Sequence, residues 1–118
     1  MGVLIAMLFP IDPDGASTTL AGTIHRINGP LAFLSLTASV ILLSRRFKHD
    51  EAWRPFHRSA LILSLIMLAL FMGTFVSMAT GSGLAGLSQR MYLATFVTWF
   101  LLTAARLHSA ALDPVSTR

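Results

Sequence analysis

Hydrophobic residues along this chain fall in long blocks, not in the short alternations of a half-buried strand, and the blocks are long enough to predict helices. Residues 59–88 carry no charge, and 60–80 alone supply about 21 residues, enough at about 1.5 Å each to cross a hydrocarbon core of roughly 30 Å. A second block is predicted over 20–43. Its apolar part, 31–43, is short, so the crossing must include the more polar turn from Ile24 to Asn28. A third is predicted over 87–107, with a charge-free centre at 91–105 and with Arg90 and Arg106 at its ends, where long side chains snorkel. Residues 2–9 are apolar but too few to span and lack a basic leader region, so they predict a short N-terminal helical segment. The expected fold is all-α: a polytopic transmembrane bundle of three full spans plus that segment, in a single domain over 1–118.

The faces of these helices predict how they pack. Ala69, Gly73, Ser77 and Gly81 recur every four residues and form a flat ridge for a neighbouring helix. On the first helix His25, Asn28, Ala32, Ser35 and Ser39 share one side, with Ile27, Leu34 and Ile41 on the flank expected to meet lipid. Short connections make sequential helices antiparallel neighbours. Met67, Met72 and Met78 are read as adaptable filler between helices rather than as copper ligands.

Composition agrees with the pattern. Of 118 residues 54% are hydrophobic and 12% charged, with mean hydropathy +0.69, outside the range of an ordinary soluble domain. The chain has no cysteine, which excludes disulfides, thiolate metal sites and thiol catalysis. The net charge of +4 does not point to nucleic acid, because the bases sit at the ends of apolar runs. Arg45, Arg46, Lys48, Arg54 and Arg58 lie in one connection, and Arg106 and Arg118 lie in the tail, against Arg26 and Arg90 on the other side. The positive-inside bias therefore predicts a cytoplasmic loop 45–58 and a cytoplasmic C-terminus, in the cell membrane, with the polar stretch "FPIDPDGASTTLAGTIHR" facing outward. Trp53 and Tyr92 are expected at the two interfaces, with Trp99 nearer the middle.

Within the outward stretch, Pro10, Pro13, Asp12, Asp14 and Gly15 predict a tight turn, after which Ser17 or Thr18 caps the next helix. Asp12 or Asp14 is free to meet Arg26 or Arg90. Asp12, Asp14, His25, Arg26 and Arg90 are thus the candidate binding residues of a polar mouth. Asp12 and His25 are the weak candidates for an acid/base pair, with no recognisable catalytic motif around them. No cofactor and no metal site is predicted: Asp12, His25 and Asp14 do not have a known metal spacing, and His57 and His108, though at similar depth, sit among bases at the membrane edge where an axial haem pair is not expected.

The stretch "FPIDPDGASTTLAGTIHRINGPLAFL", the basic "RPFHRSALILS" and the later "GLAGLSQRMYLATFVTWFLLTAARL" resemble the C-terminal part of the membrane family known as domain of unknown function 998. On that resemblance Pro10, Asp12, Gly15, Gly22 and His25 hold motif positions, with Arg90 in the run that opens the last helix. Members are usually longer, with further membrane helices ahead of this point, and the resemblance implies no activity. Three functions are compatible with these residues: a non-enzymatic bundle whose mouth serves packing or small-ligand and lipid contact; a membrane-embedded enzyme using Asp12 and His25 on a lipid-like substrate; and a fragment or subunit that assembles with N-terminal helices or with copies of itself. The expected partner in each is the lipid bilayer.

Overall fold

The computed structural model describes residues 8, 11–13 and 15–112. The expected segment at 2–9 lies outside these, apart from Leu8. Three long helices form: α1 (Leu20–Arg46), α2 (Arg54–Thr80) and α3 (Ala85–Leu112), with a 3-10 turn, η1 (Phe47–His49), after α1. No strand occurs among the described residues. The all-α expectation is met, and the predicted cores 20–43, 59–80 and 87–107 each lie inside a helix. At about 1.5 Å per residue, the 27 residues of α1 or α2 extend about 40 Å.

Two stretches are long and apolar enough to cross a membrane, Leu20–His49 and Arg54–Thr80. The third helix is as long, but no single stretch of it is apolar enough. Threonines at 95, 98 and 103, Tyr92, and Arg106 with His108 near its end dilute its Leu and Phe.

The chain divides into two compact units, Met1–Ala38 and Ser39–Arg118, with the boundary inside α1. In the first, Ala16 N–H donates to the Pro13 carbonyl at 3.1 Å and closes the predicted turn. Pro30 stands inside α1 and removes the N–H that would bond the Arg26 carbonyl.

In the second unit α2 and α3 form an antiparallel hairpin. Ser88 Oγ, early in α3, donates to the Leu70 carbonyl at 2.7 Å, while Arg106, late in α3, donates from Nη2 to the Ala52 carbonyl just before α2. Gly81 ends α2 in the left-handed region (φ 65°), and its N–H and that of Ser82 both return to the Ser77 carbonyl, satisfying a helix-end acceptor. Pro55 lies in the first turn of α2, where no N–H is required.

The hairpin buries a seam of small, polar and large residues together and leaves many large apolar residues outward. Ala60, Ser64, Met67, Phe71 and Ser77 are buried on α2, and Tyr92 and Trp99 on α3, while Leu65, Val76, Val97, Phe100 and Leu101 are exposed. Of the expected ridge, Ser77 is buried and Gly73 approaches Ser88 Oγ, but Ala69 and Gly81 are exposed. The seam follows the 3-and-4 spacing of 60, 64, 67 and 71, which a strict four-residue repeat drifts away from. Met67 fills the core as expected, whereas Met72 and Met78 are exposed. Tyr92, expected at an interface, is fully buried.

The inward side of α1 also differs from expectation. His25, Asn28 and Ala32 are half-buried, but Ser35 and Ser39 are exposed, and burial passes instead through Gly22, Thr37, Val40 and Ser44. The small and polar character of Ser35 and Ser39 marked them as inward, yet the helix turns to the stripe that carries Ser44 into its hydrogen bonds.

Candidate functional site

Asp12 organises the start of α1. Thr19, not Ser17 or Thr18, is the cap: its Oγ1 accepts the Gly22 N–H at 3.0 Å, and its carbonyl accepts the first helical bond from Thr23 N–H at 3.0 Å. Asp12 in turn holds Thr19 with both carboxylate oxygens. Thr19 N–H donates to Oδ2 at 3.0 Å and Thr19 Oγ1 donates to Oδ1 at 2.6 Å. One carboxylate therefore fixes the rotamer of the capping hydroxyl and satisfies the backbone N–H beside it, next to the positive end of the helix dipole.

Gly22 completes the arrangement. A Cβ at that position would overlap both oxygens and Cγ of Asp12, so the carboxylate rests directly on the glycine backbone. Residues 12, 19 and 22 thus act as one unit: acceptor, cap and flat seat. The hydrogen bond from the Thr19 hydroxyl and then that from its N–H hold the Asp12 carboxyl below its ordinary 3.8; partial burial opposes this, and the Arg26 charge adds a smaller downward pull. Of the partners expected for Asp12, Arg26 thus acts through its charge.

The remaining candidates fall as follows. His25 is half-buried and Arg26 exposed on the first turns of α1. Arg90 is exposed on the first turns of α3, in the second unit. Asp14 lies outside the described residues. Among the described residues no three of His, Cys, Asp and Glu come together.

A second polar centre, not foreseen from the sequence, sits around Ser44. Its Oγ donates to the Ala60 carbonyl at 3.2 Å and accepts Trp99 Nε1–H at 3.0 Å, and its own carbonyl takes His57 Nδ1–H at 2.7 Å. That carbonyl lies in the last turn of α1, where intrahelical donors run out, so His57 supplies one. Ser44 and Ala60 are fully buried, and the Ser44 hydroxyl links the end of α1 to Ala60 of α2 and Trp99 of α3. His108, by contrast, is exposed. Beside this centre Phe47, Trp53 and Phe56 form an aromatic cluster, with Phe47 and Trp53 stacked at 4.7 Å between ring centres.

These features define a class before they define a family: an all-helical protein, with two helices of membrane-crossing length and apolarity, in which polar groups are spent on holding helix ends and helix contacts. The chain belongs to the family described as protein of unknown function (DUF998), whose sequence profile matches residues 1–106. No curated protein and no solved structure matches it.

Proposed function

We propose that this protein is a non-enzymatic, membrane-embedded helical bundle in which all three helices span. One observation carries the proposal: around a core that mixes Met67, Phe71, Tyr92 and Trp99 with the buried Ser44, Ser64 and Ser77, the second unit leaves many Leu, Ile, Phe, Met and Val side chains exposed. In water that surface would be an aggregation hazard; in lipid it is the expected solvent-facing side, and small or polar residues are what helices bury against each other there.

The bias of bases supports a cytoplasmic loop 45–58 and C-terminus in the cell membrane. The segment around Asp12 then opens on the outer face, and so does the α2–α3 turn that precedes Arg90. Both oxygens of Asp12 are committed to Thr19, which supports a structural use of this carboxylate over an acid/base pair with His25. On this reading Asp12, Asp14, His25 and Arg26, and independently Arg90, contact small ligands or headgroups, and the chain packs further with copies of itself or with other membrane helices.

Carbonate washing at high pH tests the embedding. The protein stays with the membrane pellet and leaves it only in detergent; release into the alkaline supernatant would refute the proposal.

A further inference from the structure

α2 and α3 have nearly the same length and very different claims on a membrane. Residues 59–88, which hold most of α2, carry no charge, and α2 is apolar enough to cross by itself. The charge-free centre of α3, residues 91–105, extends about 22 Å at about 1.5 Å per residue, short of a hydrocarbon core of roughly 30 Å. The polar side chains of α3 nevertheless find partners inside the second unit. Ser88 Oγ donates to the Leu70 carbonyl, Trp99 Nε1–H to Ser44 Oγ, and Arg106 Nη2 to the Ala52 carbonyl, near the start, middle and end of the helix. Thr95, Thr98 and Thr103 return their hydroxyls to carbonyls of α3 itself. Tyr92 and Trp99, the largest polar-tipped residues of the helix, are both buried.

We infer that the seam of α2 is the docking surface that brings α3 into the bilayer, so that the two helices cross as a hairpin and α3 does not cross alone. The inference rests on the membrane embedding proposed above and names the partner on which the third span depends. In lipid a polar group without a protein partner is costly, and close packing with hydrogen bonds is what joins helices there. The seam supplies both. Ser64 is fully buried on it, and a Cβ at Gly73 would lie 3.4 Å from Ser88 Oγ, so at Gly73 the side chain of α3 sits on bare backbone.

The test synthesises the full chain in the presence of sealed membrane vesicles, where a variant that a cell would degrade is still counted, and labels single cysteines with an impermeant maleimide. Glu51→Cys reports the connection before α2 and Ser109→Cys the last turns of α3. In the otherwise unaltered chain both are expected to label without detergent, on the side where synthesis took place. Ser64→Leu/Gly73→Leu fills the seam while making α2 more apolar. In that background Glu51→Cys should label as before, whereas labelling of Ser109→Cys without detergent falls at least fivefold and returns when detergent opens the vesicles. Ala94→Leu/Thr98→Leu, at exposed positions of α3, then restores it by making the helix apolar enough to cross unaided. Undiminished labelling of Ser109→Cys in the seam variant overturns the inference, and so does a loss that Ala94→Leu/Thr98→Leu leaves unrepaired. Either result in a chain that resists carbonate extraction refutes this inference alone; carbonate release of the unaltered chain refutes the embedding and this inference with it.

Discussion

Asp12 and Gly22 show how two residues ten positions apart can be required by one contact. At most helix positions Gly→Ala gains about 1 kcal/mol of helix propensity. Here the new methyl group would displace a carboxylate that is bonded through both oxygens, so Gly22→Ala is expected to lose about 1–3 kcal/mol, as overpacking does elsewhere. The sign reverses once the obstacle is removed: in an Asp12→Ala background, Gly22→Ala becomes neutral or stabilising. Denaturation in detergent of the four proteins of this cycle measures it, and the same cost in both backgrounds would show that Asp12 is not what Gly22 makes room for. The carboxylate also sets a pH dependence. Its folded pKa is lowered, so its contribution is complete above the unfolded value near 3.8 and is lost as pH falls through the lower folded value. Protection of the Thr19 and Gly22 amides, measured against the intrinsic exchange rate at each pH, should therefore be full at neutral pH and fall below about pH 4, a step that Asp12→Asn removes. Protection that is indifferent to acid would contradict the bonding described.

At the scale of elements, the Ser44 centre decides which sides of the helices meet. Ser44→Ala would leave the buried Trp99 Nε1–H without its acceptor and the Ala60 carbonyl without its second donor, a loss of about 1–2 kcal/mol. Trp99→Phe should remove much of the same energy, so the double variant is expected to be less damaged than the two losses added; strict additivity in unfolding experiments would contradict the bond. The helices themselves were legible in the sequence because long apolar runs and terminal bases are local signals. The cap was read as Ser17 or Thr18 and falls instead on Thr19, because adjacent hydroxyls have equal capacity and what selects Thr19 is Asp12, seven residues upstream. Ser44 carried no local signal at all, since its importance comes from Trp99, 55 positions away. The rotation of α1 away from Ser35 and Ser39 has the same origin. A polar stripe predicts an inward face, but the partner that fixes the register lies on another helix.

At the scale of the whole molecule, the account depends on lipid being the solvent of the exposed Leu, Phe and Met side chains. The family assignment and the Asp12–Thr19–Gly22 unit agree with that picture but do not depend on it. The absence of cysteine from the chain makes a direct measurement clean. Single cysteines are placed by Ser17→Cys ahead of α1, Glu51→Cys in the basic connection and Leu65→Cys on the exposed side of α2, and each is treated with a membrane-impermeant maleimide on intact cells and again after the membrane is opened. The expected result is labelling of the first from outside, of the second only after opening, and of the third in neither case until detergent dissolves the bilayer. Labelling of Leu65→Cys in the intact membrane as fast as Ser17→Cys would mean that water reaches the surface assigned here to lipid, and the account would be contradicted.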